Sequence, residues 1–384
     1  MKKRLIICTS IIQMILVKIS YFICCLFNKN KKDGWVVVAV ETASMLKNIS
    51  SALPNSVAVN FAPNRFYDFN YDYEVYPKKG IFKIGNLIYS SLLFGYLLSK
   101  YDKFLYLGSV GFLNPYVDGR QAEFEFLKKS NKRIVCYFLG SEIRSYKLLD
   151  EFGVNKGIDT LTTYERYSSI GIDSNENENK RKRLAKVAEK YANCIFNAPV
   201  DQMTYIDINV HDILYFYPDN QFQKDNEKFD NLSMINILHS PTSPILKGTQ
   251  LVRAAIKKLE LEGYIFNYVE LKNASNSKVL ATLKESHIVL NQFYAFVPGV
   301  FGIEALVHNC AMLTSADSNI EPTLGLGANE AWLVTPYWQV YDNLKYLLDN
   351  PEEIKAYADR GFDWAYKNCR ASVNGQRLNS ILND

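Results

Sequence analysis

The sequence predicts an α/β protein built on two doubly wound parallel sheets, with an apolar helix in front of them. Three observations carry this. Past Asp33-Gly34, short β-branched runs alternate with segments of helical period, and the series occurs twice. The 384 residues suffice for two domains, each burying its own core. A polar, aperiodic stretch at 218–232 separates the two series as a linker. A hydrophobic content of 48% and an aromatic content of 14% exclude a disordered or fibrous chain.

The first element is residues 5–27, which are mostly apolar and interrupted by Lys18. The segment is long enough to span a bilayer. No small-x-small site precedes the basic run at 28–32, which argues against a cleaved signal peptide. Both flanks are basic, so the distribution of Lys and Arg gives a spanning helix no clear orientation. Thr9, Gln13 and Ser20 share one helical face, as in a helix lying in the membrane interface or packed on a domain. Residues 1–32 carry seven basic side chains and no acidic one, which points to an anionic membrane surface. The rest of the chain holds 37 basic and 40 acidic residues, and that balance gives no reason to expect nucleic acid as a partner.

In the first domain, 33–217, strands are expected at 35–40, 56–61, 104–107, 132–139 and 193–196. Helices are expected at 41–53, around Leu87–Leu97 and at 181–191, with a polar surface loop at 173–180. In the second domain, 233–350, the expected strands are 233–238, 264–270, 286–291, 310–314 and 332–335. Helices at 249–262, 275–285, 300–308 and 337–349 lie between or after them. Asn350-Pro351-Glu352-Glu353 has the N-cap, the proline and the acids of a helix start, so 351–384 is expected to be helical. Seven cysteines without metal-like or disulfide spacing read as buried, reduced thiols.

Two strand-to-helix turns in the second domain carry chemistry. His239-Ser240-Pro241 follows one strand, and Lys247-Gly248-Thr249 opens the next helix. A lysine beside free backbone N–H groups suits a pyrophosphate, although a solvated lysine at a helix start has the same pattern. The second turn, Pro298-Gly299-Val300-Phe301-Gly302, offers backbone amides and a helix dipole. Glu304 sits one turn further in, where a carboxylate can accept hydrogen bonds from ribose hydroxyls. His239 reads equally well as a satisfied strand-end residue.

These two turns together resemble family 4 (group 1) glycosyltransferases of the GT-B fold, over roughly residues 235–382. The segment Arg133 to Arg144, with Gly140-Ser141-Glu142-Ile143-Arg144 after a strand, is similar to a "GSDIR" segment of bacterial members that build surface polysaccharides. The resemblance implies two Rossmann-like domains facing across a cleft, with the nucleotide sugar on the second and the acceptor on the first. It also implies that the final helices cross back to the first domain. Lys247 would then neutralise the leaving diphosphate and Glu304 would hold the ribose, these two being the expected catalytic residues. Gly248, Gly299, Val300 and Phe301 would bind phosphate, His239 and Ser240 would line the base and phosphate pocket, and Gly140, Ser141 and Arg144 would face the cleft from the acceptor side. The implied reaction is retaining transfer to a lipid-linked saccharide or polysaccharide. The nucleotide sugar is a co-substrate, and neither a cofactor nor a metal is expected. Because nucleotide sugars are made in the cytosol, the expected location is the cytoplasmic face of the membrane.

The sequence departs from the family pattern at three places. Phe296 stands where members carry a glutamate eight positions before the second one, and Pro241 where many carry an arginine. All four histidines lie at 211 or later, so the first domain lacks a histidine near the reacting centre. A non-catalytic homologue that binds nucleotide sugars as a scaffolding subunit is the alternative, and a nucleotide-sugar epimerase is a second.

Overall fold

The computed structural model describes residues 2–27, 32–64, 66–76, 82–113 and 118–383. It opens with the long helix α1 (Lys2–Phe27), followed by β1 (Lys32–Ala39), α2 (Met45–Ala52), β2 (Val57–Asn60) and β3 (Tyr73–Glu74). The first domain continues with α3 (Phe82–Lys100), β4 (Tyr101–Leu107), α4 (Gln121–Lys129) and β5 (Arg133–Tyr137). It closes with α5 (Tyr146–Lys156), α6 (Leu161–Ser168), α7 (Asn175–Tyr191) and β6 (Cys194–Phe196). The strand order is β3-β2-β1-β4-β5-β6, and every pair is parallel. The direction of winding therefore reverses between β1 and β4, as in doubly wound sheets.

Side-chain alternation along β1 explains why both faces of this sheet are covered. Val36 and Val38 point into a layer with Phe94, Leu97 and Phe124. Trp35, Val37 and Ala39 point into the opposite layer with Met45, Leu46 and Ile49. Leu378 and Leu382, from the far end of the chain, complete that second layer.

The second domain contains β7 (Ile235–His239), α8 (Thr249–Leu261), β8 (Phe266–Glu270), α9 (Asn276–Glu285) and β9 (Ile288–Leu290). It ends with α10 (Gly299–Val307), β10 (Ala311–Thr314), α11 (Ala328–Ala331), β11 (Leu333–Val334), α12 (Val340–Asp349) and α13 (Pro351–Asn368). Its five parallel strands run β11-β10-β9-β7-β8, so winding reverses between β7 and β9. Trp364 of α13 packs edge-on against Trp332, with centroids 5.0 Å apart. The chain then crosses over at Cys369-Arg370. The Tyr217 N–H donates to the Cys369 carbonyl and the Ala371 N–H to the Tyr217 carbonyl, both at 2.8 Å. From there α14 (Ala371–Asn383) packs on α2 of the first domain.

Two local expectations are corrected. The polar stretch 173–180 is not a loop throughout, because α7 begins at Asn175. Ser174 caps it by accepting from the Asn177 N–H, and Glu176 and Glu178 lie in the first turn where the helix dipole favours acids. The helix expected from 41 begins only at Met45. Ala43 and Ser44 take φ of 52° and 61°, so 41–44 form a turn rather than helix.

The contact between α14 and α2 leaves no room at Gly375, where an added Cβ would lie 2.6 Å from the Ala52 carbonyl oxygen. Gly375→Leu is expected to lift α14 off α2 and to cost about 1–3 kcal/mol, as overpacking does. Chemical denaturation checks this, the expected result being a lower midpoint with an unchanged second-domain tryptophan signal at low denaturant.

Candidate functional site

The carboxyl ends of the two sheets face each other, and between them lies a cleft with a cavity of about 380 Å³. From the first domain it is lined by Glu41, Thr42 and Ala43 after β1, and by Asn64, Phe66 and Tyr67 after β2. From the second it is lined by Ser240, Pro241 and Lys247 after β7, by Leu271, Ala274 and Asn276 after β8, and by Val300, Phe301 and Glu304 on α10. Ligands in open α/β sheets bind at such carboxyl edges, where the winding reverses.

Lys247 is held at the β7/β9 reversal because the turn 243–249 closes on itself. The Lys247 N–H donates to the Ser243 carbonyl and the Thr249 N–H to the Pro244 carbonyl. The Lys247 Nζ donates to the Gln292 Oε1, and Gln292 in turn donates to the Val297 carbonyl. Burial lowers the Lys247 ammonium to about 8, while the charge of Asp201 opposes that shift. A lysine so placed is a cation short of solvent and short of a formal counter-charge.

Further along the cleft wall, α10 begins. Gly299 has φ of +64°, and Asn291 fixes the turn by donating to the Pro298 carbonyl at 2.8 Å. The first N–H groups of the helix have no intrahelical acceptor. Those of Val300 and Phe301 belong to residues that line the cleft. The Gly299 N–H faces the Tyr215 hydroxyl behind the wall, so its backbone supports the turn rather than opening on the cleft.

Glu304 is 5% exposed and accepts a hydrogen bond from Asn276 Nδ2 at 2.9 Å. Burial raises its carboxyl to about 7, and the Asn276 bond offsets part of this. Tyr67 reaches toward it from the first domain, its hydroxyl raised by burial and then by the Glu304 charge. The Asn276 N–H also donates to the Phe66 carbonyl at 3.3 Å, so the two domains touch at this end of the cleft.

The structure thus brings Ser240, Lys247, Val300, Phe301 and Glu304 into one cleft. Other expected site residues lie elsewhere. His239 is fully buried, its Nδ1 2.7 Å from the Leu290 carbonyl and its Nε2 2.9 Å from Thr249 Oγ1. Desolvation lowers it to about 4, and it braces β7 behind the wall as a neutral ring. Gly248 is also buried, with φ of +72° at the start of α8 and the Phe293 side chain closing the space a Cβ would need. Gly140, Ser141 and Arg144 do not face the cleft. Ser141 borders a separate cavity of about 180 Å³ with Glu142, Lys180 and Arg181. Arg144 is buried and paired with Asp201 at 3.1 Å and Glu165 at 3.5 Å, with Gly140 at its back.

Sequence reasoning missed the residues that close the cleft. Glu41 is buried at the reversal point of the first sheet, where its carboxylate accepts from the Leu46 and Lys47 N–H groups and from the Tyr71 hydroxyl. Its only sequence signal is an acid directly after a β-branched run. Phe296 is buried, and its N–H donates to Asp201 Oδ1 at 2.7 Å across the domain boundary. Tyr164 of the first domain stacks on Tyr294 with centroids 3.8 Å apart. Among the described residues, no group of three or more His, Cys, Asp or Glu side chains is placed to hold a metal ion.

No protein-family model and no curated protein matches the sequence. Solved structures do match its fold. Sucrose-phosphate synthase from Thermosynechococcus elongatus superposes with a TM-score of 0.59 at 10% identity, covering 91% of this chain and 98% of that one. WaaG, a glycosyltransferase involved in lipopolysaccharide biosynthesis, gives 0.51 at 11% identity, covering 90% and 99%. The protein has the GT-B fold. A Listeria monocytogenes protein described as a "putative UDP-N-acetylglucosamine 2-epimerase" gives 0.50 at 13% identity, covering 91% and 96%. A GT-B architecture therefore accommodates more than one chemistry, and the cleft residues must carry the functional argument.

Glu304 makes the GT-B cleft sensitive to pH. Its carboxyl sits near 7 when folded, against 4.5 when exposed, so the stability it contributes is full below about 4.5 and is lost as pH rises through 7. Glu304→Gln is expected to remove that loss and to be more stable than the parent at pH 8 by about 2–3 kcal/mol. Urea denaturation at pH 5 and pH 8 checks this, the expected result being a gap between the two proteins that opens only at the higher pH.

Proposed function

We propose that the protein is a glycosyltransferase that moves a sugar from a nucleotide-diphosphate donor to a saccharide acceptor. The reading includes a lipid-linked or polysaccharide acceptor, cell-surface polysaccharide synthesis, and action at the cytoplasmic face of the membrane. The observation that carries it is the convergence of Lys247, the N-terminus of α10 and Glu304 along one wall of the interdomain cleft. A nucleoside diphosphate answers each of the three. Its phosphates supply the negative charge that partly desolvated Lys247 lacks and the acceptors that the first N–H groups of α10 lack. Its ribose hydroxyls are donors for Glu304, and Leu271, Ala274 and Val279 form an apolar bed beside them.

The same elements suit the transfer step. As the glycosidic bond to the diphosphate breaks, positive charge develops on the sugar and negative charge on the leaving phosphate. A cation and a helix dipole fixed beside that phosphate stabilise the transition state more than the ground state. Retention of configuration is the outcome the family resemblance implies. No side chain of the cleft is assigned as a general base.

A second reading, a nucleotide-sugar-binding subunit without turnover, is favoured by one observation. Phe296 stands at the position where the resemblance implies a sugar-binding glutamate; it is buried, packs edge-on against Phe152, and its N–H donates to Asp201. Calorimetry with nucleoside diphosphates, followed by assay of membranes with a panel of radiolabelled nucleotide sugars, separates the two. Transfer of label, reduced about a hundredfold in Lys247→Ala as for loss of a preorganised donor, is the expected result. Diphosphate binding without any transfer supports the subunit, and undiminished transfer by Lys247→Ala overturns the diphosphate assignment.

A further inference from the structure

The helix α1 is packed inside out. A helix in water turns its apolar stripe to the protein and its polar stripe to solvent. Here the polar residues Gln13 and Ser20 face inward, together with Val17 and Tyr21. Gln13 is 1% exposed, and neither its Oε1 nor its Nε2 has a hydrogen-bond partner. Ser20 donates to the Leu92 carbonyl of α3 at 2.7 Å. Gly95 of α3 permits the approach, since a Cβ there would lie 2.6 Å from both the Ser20 Cβ and the Val17 carbonyl oxygen. Tyr21 packs edge-on against Phe126 of α4, at 5.8 Å.

The outward face of α1 is apolar. Ile11, Ile15, Ile19, Phe22 and Leu26 are each about half exposed or more. At 100° per residue these five lie within an arc of roughly 80°, which the equally exposed Ile12, Ile23 and Phe27 widen to about 160°. Ile84, Ile88 and Leu92 of α3, the helix on which α1 packs, are exposed as well. Water is the wrong solvent for such a face, because soluble monomers rarely leave contiguous apolar patches of this kind uncovered. The charge pattern identifies the right one. Lys18 lies at the edge of the stripe, and the first 32 residues hold seven basic side chains and no acid, which complements an anionic lipid surface.

We infer that α1 and α3 together form a two-helix platform that lies in the headgroup-to-acyl boundary of an anionic membrane, with α1 parallel to the bilayer plane. A spanning α1 is the competing arrangement, since Thr9–Phe27 is long and apolar enough to cross a bilayer. Crossing would strip Gln13, Ser20 and Tyr21 from the domain and place the polar pair in hydrocarbon. It would also leave the exposed isoleucines of α3 without purpose. The platform sharpens the membrane location proposed above, and it is independent of the transfer chemistry.

The test is flotation of the purified full-length chain with phosphatidylcholine vesicles, with and without phosphatidylglycerol. Two variants accompany it, Ile15→Glu/Ile19→Glu on α1 and Ile84→Glu/Ile88→Glu on α3, each checked for an unchanged circular dichroism spectrum. The platform predicts binding that is strongest with phosphatidylglycerol, weakened by salt, and reduced about tenfold by either variant, because both helices touch lipid. Binding lost in the α1 variant but intact in the α3 variant overturns the platform in favour of a spanning or α1-only anchor. An absence of vesicle binding by the parent protein overturns the membrane location as well. Self-association of the parent that both variants abolish, without vesicle binding, assigns the face to a second copy of the chain instead. Nucleoside diphosphate binding, measured on the same samples, reports separately on the cleft.

Discussion

The buried carboxylate of Asp201 is the interaction on which the arrangement of the two domains depends. It pairs with Arg144 of its own domain at 3.1 Å and accepts the Phe296 N–H of the other at 2.7 Å. Its own backbone N–H and that of Val200 donate to Glu321 Oε2, at 2.9 and 3.0 Å. Burial raises the Glu321 carboxyl, and the two amides and Thr323 counter that cost. Removing one partner of such a buried network is more costly than the net gain of forming it, because the others are left desolvated and unpaired. The network therefore fixes the distance between the carboxyl edges, and with it the width of the cleft. Tyr217 and α14 do the same at the crossover side.

Within that frame the cleft keeps its charges poised in opposite senses. Burial pushes Lys247 down toward 8 and Glu304 up toward 7, so each is less charged than it would be in water. Each lacks the partner that would restore it, apart from the amides of Gln292 and Asn276. A ligand carrying phosphate at one end and hydroxyl donors at the other restores both. Such perturbation in a cleft is a recurrent mark of function, and here it coincides with a helix N-terminus and an apolar bed. At the domain boundary the contacts are aromatic instead, with Tyr164 stacked on Tyr294 and the Phe296 amide bonded to Asp201.

The fold was legible in the sequence because parallel strands buried on both faces leave β-branched runs, and intervening helices leave a 3.6-residue period. Strands such as 35–40 and 233–238 needed no more than that. The turn at 41–44 was not legible, since a carboxylate bonding back to the Leu46 and Lys47 amides looks in sequence like one more helical residue. Ser174 shows the converse, a polar run read as loop although its cap and acids began a helix. That Lys247 and Glu304 both line the cleft was legible because their positions in strand-to-helix turns are local features. The seclusion of His239 and the pairing of Arg144 with Asp201 depend on residues 51 and 57 positions away, which no local pattern encodes. The inverted packing of α1 was hidden for the same reason, because an amphipathic helix does not state which of its faces is turned inward.

The central claim is that the wall formed by Lys247, the start of α10 and Glu304 receives a nucleoside diphosphate. A crystal structure of the protein grown with a nucleoside diphosphate tests it most directly. The account predicts phosphate oxygens within hydrogen-bond reach of Lys247 Nζ and the Val300 and Phe301 amides, with the ribose hydroxyls on Glu304. A diphosphate bound instead in the cavity beside Lys180 and Arg181, or an empty cleft at saturating concentration, contradicts it.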